Sequence, residues 1–333
     1  MKRILMLATG GTIASKRSAH GLTPLLTSGE LLAYVPDTRT ICQTDTLQLF
    51  NLDSTNIQPR HWLAMARAIE EHYDAYDGFV ICHGTDTLAY TAAALSYLIQ
   101  NSPKPIVVTG SQKPIDMDVT DAKTNLSDSL AFAACDKACG VVIVFGGKVI
   151  AGTRGKKERT RSYNAFSSIN FPDLAAIRDG RILFYLNDKP ASLRPPTFYH
   201  QLNPCVTLLK LIPAMDASIL DYMARQYDAV IIESFGVGGL PSYESGSYFP
   251  VIEQWTRQGK PVVMTTQVTN EGSNMSVYEV GHAIKKEFGL LEAYDMTLEA
   301  AVTKLMWILG QTKDIETVRQ MFYRTVNKDI LWY

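Results

Sequence analysis

Cysteine is scarce and odd in number. The five residues, Cys42, Cys82, Cys135, Cys139 and Cys205, form no dense framework, which excludes a small disulfide-stapled scaffold and favours a reducing compartment. Cys135 and Cys139 stand four apart, but no second Cys or His pair accompanies them, so no structural metal site is expected. An excess of either charge is also missing. Lys and Arg number 32 against 33 Asp and Glu, which leaves no electrostatic attraction to nucleic acid or an anionic membrane. No apolar run approaches the roughly 20 residues of a membrane span. The first run, Ile4–Leu7, is too short for a signal peptide and lacks a small-residue cleavage site. The expectation is a cytoplasmic protein with neither nucleic acid nor membrane as partner. Two glycine patterns are absent as well. The next glycine after Gly11 is Gly21, so the dinucleotide spacing fails, and no Gly-Lys-Ser/Thr marks a phosphate loop.

What is present is an alternation of short apolar runs and helical patterns. Ile4–Leu7, Phe79–Cys82, Ile106–Thr109, Val141–Phe145, Ala229–Glu233 and Val262–Thr265 read as buried strands. Trp62, Met65, Ala66, Ile69 and Tyr73 share one face of a helix predicted from about Arg60 to Tyr73. Further helices are predicted from Thr87 to about Gln100 and from about Asp121 to Cys135, the latter with Leu126, Leu130 and Ala133 inward. This alternation argues for a parallel sheet covered on both faces. Val141–Phe145, Gly146-Gly147 and Lys148–Gly152 read instead as a hairpin, so the sheet is expected to be mixed at that edge.

Pro190, Pro195, Pro196 and Pro204 then interrupt the pattern. Beyond them, helices are predicted near Ala217–Tyr227, Glu244–Gln258, Leu298–Leu309 and Ile315–Tyr323. The 333 residues suffice for two cores. The expected organisation is α/β throughout. A larger N-terminal domain over 1–186 carries a mixed, mostly parallel sheet flanked by helices. A proline-rich linker covers 187–206, and a smaller C-terminal α/β domain with a parallel sheet covers 207–333.

Two turns invite chemistry. Thr9-Gly10-Gly11-Thr12 follows the first strand, and His83-Gly84-Thr85-Asp86-Thr87 follows Phe79–Cys82. Ligands bind at the carboxyl edge of an open α/β sheet, where hydroxyls meet backbone N–H groups that favour developing negative charge. Each turn also has a plain reading. Thr12 and Thr85 make good helix caps, and His83 reads more readily as a satisfied turn histidine than as a base. Gly152–Arg161 reads as a solvated basic loop unless one lysine pairs with Asp86. A desolvated amine in that position can take a proton from a hydroxyl or from water. Asp53-Ser54-Thr55, after Leu47–Leu52, is a fourth polar cluster at a strand end.

Thr9–Ala14 and His83–Thr87 together resemble the two signature motifs of the bacterial-type L-asparaginases. The likeness runs through Asp53-Ser54-Thr55, Val108–Gln112, Gly152–Lys157, Ser162–Asn170 and Glu233–Gly239, and is nearest the cytoplasmic type I branch. The resemblance implies an amidohydrolase that acts on L-asparagine without metal or cofactor and releases aspartate and ammonia through an ester on Thr12. It implies a catalytic group of Thr12, Thr85, Asp86 and Lys157, and a substrate-binding set of Asp53, Ser54, Thr55, Thr85 and Asp86. Within that set Ser54 and Thr55 would hold the α-carboxylate, and Asp86 the α-ammonium. It further implies a homodimer or homotetramer in which a neighbour's second domain closes each site, with residues 270–282 as the candidate contribution.

Alternatives are a broader glutaminase-asparaginase and a catalytically silent amino-acid sensor. The sensor is disfavoured because Thr12, Thr85 and Lys157 are all present. A tRNA-dependent amidotransferase subunit is disfavoured because an added N-terminal module is expected there. Two departures from the family pattern stand out. Leu22 occupies the place where many members carry a tyrosine, leaving His20 as the near-neutral titratable group of that loop. Lys156, Phe235 and Val268 stand where some type I members line an activating asparagine site with threonine, tyrosine and cysteine, so hyperbolic kinetics are expected.

Overall fold

Apolar runs buried on both faces form the centre of an eight-stranded sheet. The computed structural model describes residues 1–18, 21–35, 38, 40–186, 195–241, 247–277 and 279–331, and its contacts divide into two units, Met1–His200 and Gln201–Tyr333. In the first unit the strands are β1 (Arg3–Gly10), β2 (Gln43–Leu52), β3 (Gly78–Cys82), β4 (Pro105–Thr109), β5 (Gly140–Phe145), β6 (Lys148–Ala151), β7 (Ala175–Arg178) and β8 (Arg181–Phe184). Their spatial order is β2-β1-β3-β4-β5-β6-β7-β8. The first five are parallel and the last three antiparallel, so the mixed edge predicted from the Gly146-Gly147 hairpin is present. Both glycines of that turn have positive φ, 57° and 72°, as a two-residue hairpin requires.

The helices are α1 (Ser28–Ala33), α2 (Pro59–Glu71), α3 (Leu88–Leu98) and α4 (Ala122–Ala133). Period-2 alternation sends Ile4, Met6 and Ala8 of β1 into one core with Leu126 and Leu130 of α4. Helices α2 and α3 are among those that end earlier than expected. Tyr73 lies beyond α2 in a 3-10 turn, Tyr73–Ala75, yet stays buried. Helix α3 stops at Leu98 because Ile99–Gln100 leaves it to pair as a strand with Thr197–Phe198. Tertiary pairing of a β-branched residue overrides helical continuation there.

In the second unit β9 (Val206–Lys210), β10 (Ala229–Ser234), β11 (Val262–Thr266) and β12 (Leu291–Glu292) form a wholly parallel sheet in chain order. Its helices are α5 (Ser218–Gln226), α6 (Phe249–Arg257), α7 (Glu279–Glu287), α8 (Leu298–Gln311) and α9 (Ile315–Tyr323). Leu220, Ile252 and Trp255 pack there with Val230, Ile232 and Met264. Residues 187–194 of the expected linker and 244–246 of the predicted Glu244–Gln258 helix lie outside the described residues. Among the described residues no helix is long and apolar enough to cross a membrane, and no cluster of three or more His, Cys, Asp or Glu could hold a metal ion.

Candidate active site

Strand order decides where ligands can enter. The chain leaves β1 for β2 on one side and returns to β3 on the other, so the order 2-1-3-4-5 reverses between β1 and β3. A crevice opens beyond the carboxyl ends at such a switch point. The Thr12 turn leaves β1 and the His83–Thr87 turn leaves β3, so two segments some seventy residues apart in sequence flank one crevice. Thr9, near the end of β1, donates its hydroxyl proton to the Cys82 carbonyl at 2.9 Å, tying the two strand ends together.

The turns meet backbone to backbone. Gly11 has φ 78°, and a Cβ there would collide with the backbone nitrogen and Cα of Gly84. A Cβ on Gly84 would in turn fall 2.7 Å from Ser54 Oγ. Only glycine allows both the positive φ and this approach. Gly11→Ala is expected to destabilise by about 2–4 kcal/mol and to push the Thr12 turn off the Thr85 turn. Thermal unfolding and activity together check this, and a variant with unchanged Tm and rate would contradict the packing argument.

Thr12 is half-buried in a 3-10 turn, Thr12–Ala14, whose Ile13 and Ala14 are buried. Across the crevice Lys157 Nζ donates to Thr85 Oγ1 at 2.7 Å and to Asp86 Oδ1 at 2.7 Å. The lysine side chain is 16% exposed and the aspartate 58%, so the amine sits inside while the carboxylate faces outward. Lys157 closes a short strand, Gly155–Lys157, paired antiparallel with Phe166–Ser168, with Lys157 opposite Phe166. Lys156 and Lys157 therefore project to opposite faces, and the basic loop supplies one lysine to Asp86 as its functional reading required.

The remaining predicted residues adjoin this group. Ser54 is buried, and Thr87 Oγ1 donates to its carbonyl at 2.7 Å. Asp53 Oδ1 accepts from the Thr55 N–H at 2.9 Å and from its hydroxyl at 2.8 Å, which shapes the turn and leaves Thr55 exposed. Gln112 is a residue whose part the sequence did not disclose. Its Oε1 accepts from Thr85 Oγ1 at 3.4 Å, and its Nε2 donates to the carbonyls of Arg159 and Ser162. The Asp121 carboxylate holds the N–H groups of Gln112 and Lys113. Burial nonetheless raises its pKa above the ordinary carboxylate value, against those donors. No spacing rule joins positions 85, 112 and 159, so only the fold reveals the contact. The side chain of Leu22, and His20 altogether, lie outside the described residues.

His83 is fully buried, and burial pushes its imidazole down to about 4. Above its unfolded pKa, about 6.5, a neutral His83 contributes its full share of stability. That share, up to about 3 kcal/mol, is lost as pH falls from there toward 4. Asp128 on α4 acts in the opposite sense, because burial raises its carboxyl to about 6. Its ionisation penalises the fold above that pH, and the penalty vanishes toward about pH 4. Asp128→Asn is therefore expected to gain about 1–2 kcal/mol at pH 7, discounted for partial exposure, and to lose the gain by about pH 4. Urea unfolding across this range tests it, and identical midpoints at pH 7 would refute it.

Comparison with known proteins fits this geometry. The family model described as Asparaginase, N-terminal, matches residues 3–190, and that for the Glutaminase/Asparaginase C-terminal domain matches residues 205–322. The chain belongs to the asparaginase family. An L-asparaginase of Thermococcus kodakarensis is 40% identical over 330 residues, covering 98% of this chain and 99% of that protein. The L-asparaginase 1 of Escherichia coli is 34% identical over 338 residues, with 99% and 98% covered. The solved structure of the thermostable L-asparaginase from Thermococcus kodakarensis superposes with a TM-score of 0.93 at 39% identity, covering 99% of this chain and 100% of that one. The larger mixed sheet and the smaller parallel sheet of this asparaginase family member agree with the organisation expected from its sequence.

Proposed function

We propose that this chain hydrolyses L-asparagine to L-aspartate and ammonia, with Thr12 as nucleophile. The observation that carries the reading is the Lys157 amine, bonded at once to the Thr85 hydroxyl and the Asp86 carboxylate, at the crevice that the Thr12 turn also borders. Thr12 Oγ bonds to the side-chain amide carbon and loses its proton through the neighbouring acceptors. The carbon–nitrogen bond breaks as the leaving amine takes up a proton and departs as ammonia. A water, deprotonated through Thr85 toward Lys157, then cleaves the ester to aspartate and restores the Thr12 hydroxyl. A threonine hydroxyl is a weak nucleophile at neutral pH and needs such positioned acceptors. Turn N–H groups at residues 12 and 85 would stabilise the oxyanion, each worth on the order of 3–4 kcal/mol. With leucine at position 22 in place of the loop tyrosine, Thr85 and Lys157 take a larger share of activation.

Ser54 and Thr55, in the turn fixed by Asp53, would hold the α-carboxylate, and the exposed face of Asp86 the α-ammonium. The reading extends to a homodimer or homotetramer whose partner contributes from residues 270–282, to a cytoplasmic setting, and to a proline-rich join over 187–206 between two domains. The free thiols of Cys42, Cys82, Cys135 and Cys205 support a reducing environment. Ammonia release should be measured with asparagine and, separately, with glutamine over a wide concentration range. The expected result is hyperbolic turnover of asparagine with little of glutamine. Comparable rates on both would broaden the specificity, sigmoidal dependence would restore an activating site, and no release from either would leave a binder.

A further inference from the structure

Behind the Thr85 turn runs a buried chain of hydrogen bonds that the mechanism above does not use. Trp62 Nε1 on α2 donates to Thr91 Oγ1 on α3 at 2.9 Å. Thr91 Oγ1 lies 3.0 Å from His83 Nε2, and His83 Nδ1 lies 2.7 Å from the Gly84 carbonyl oxygen. His83 and Thr91 are fully buried and Trp62 nearly so. The proton positions follow from the partners. A carbonyl only accepts, so Nδ1 carries the hydrogen. An indole N–H only donates, so the Thr91 hydroxyl accepts from Trp62 and gives its own proton to Nε2. Burial, which keeps the ring neutral, is consistent with a single N–H.

We propose that His83 is a positioning residue. Trp62 and Thr91 hold it in the Nδ1–H tautomer, and that N–H anchors the Gly84 carbonyl, thereby orienting the Gly84–Thr85 peptide. The described backbone has no cis peptide bonds, so the carbonyl of Gly84 and the N–H of Thr85 point in opposite directions. Anchoring the carbonyl toward the buried ring turns the Thr85 N–H the other way. The Thr85 hydroxyl, on the same residue, is then aimed at Lys157. With the other tautomer, Nδ1 would present a lone pair to the carbonyl oxygen, and the peptide would rotate to escape the repulsion. The inference rests on the reading of Thr85 as part of the catalytic group. It adds that the buried Thr91 hydroxyl, one turn into α3 and backed by Trp62 on α2, sets the aim of that group.

The test pairs kinetics on the full chain with nitrogen-15 NMR of the histidine rings. Thr91→Val keeps the shape but removes both hydrogen bonds, whereas Thr91→Ser keeps them. The wild-type chain is expected to show an exchange-protected Nδ1–H on His83. Thr91→Val is expected to lower kcat about five- to twentyfold with KM within about twofold, and to mix the tautomers. Thr91→Ser is expected to restore both the rate and the tautomer. Should Thr91→Val fail to fold, Trp62→Phe removes the outer donor while keeping the ring and is read in the same way. An Nε2–H tautomer in the wild type, or an active Thr91→Val chain with mixed tautomers and an undiminished kcat, overturns the positioning role alone. A wild-type chain that releases no ammonia overturns it together with the proposed function.

Discussion

Thr12→Ala is expected to release ammonia from asparagine at least about a thousandfold more slowly than the parent chain, with aspartate binding largely kept. Removing one member of a group that acts as a unit removes most of that unit's effect. Thr12 is half-buried and sits in a turn fixed by neighbouring backbone, with Gly11 N–H bonded to the Leu52 carbonyl at 2.9 Å. Deleting its hydroxyl therefore leaves the turn and the Ser54–Thr55 region in place. Thr12→Ser, which keeps an oxygen nucleophile, should recover much of the rate. Calorimetric titration with aspartate separates lost chemistry from lost binding. Retention of a tenth of the parent rate in Thr12→Ala would remove Thr12 from the role of nucleophile.

Lys157→Met should cost about a thousandfold in kcat with a smaller change in KM. The substitution keeps the apolar stem and removes only the amine that contacts Thr85 and Asp86. Asp86, with 58% of its side chain exposed, remains solvated when the amine is gone, so folding should survive. Lys157→Arg distinguishes two ways in which the amine could act. Arginine supplies the same charge but cannot serve as a proton acceptor near neutral pH. If proton transfer is the role of Lys157, the Arg variant should be about as slow as the Met variant. A rate near the parent's in Lys157→Arg would make the amine an electrostatic support and move the proton acceptor elsewhere.

The strands of the central sheet were legible wherever burial on both faces makes an uninterrupted apolar run, as in Phe79–Cys82 and Ile106–Thr109. The hairpin at Gly146-Gly147 was legible because its backbone conformation selects glycine. Strands β7 and β8 escaped notice, since Ala175–Arg178 and Arg181–Phe184 form an edge whose outer strand is half-exposed and carry no distinct period. Ile99–Gln100 escaped for a different reason, because its partner Thr197–Phe198 is nearly a hundred residues away. Loop closure over that distance leaves no local mark.

The site divides along the same line. The sequence by itself determined the residue types and their local frames: a hydroxyl after Gly10-Gly11, a hydroxyl and a carboxylate after His83-Gly84, a polar turn at 53–55, and a lysine pair in a glycine-bounded loop. Those features follow from short-range constraints of turn geometry, capping and alternation, which neighbouring residues impose on one another. Only the tertiary structure decided that β1 lies beside β3 and that Gly11 touches Gly84. It brought Lys157, which the family likeness already favoured over Lys156, within 2.7 Å of Asp86. It also brought Gln112 to Thr85 and set Trp62 and Thr91 behind His83. Each of these depends on which strands pair and in what register, a choice made by the summed burial of two faces of a sheet rather than by any local segment.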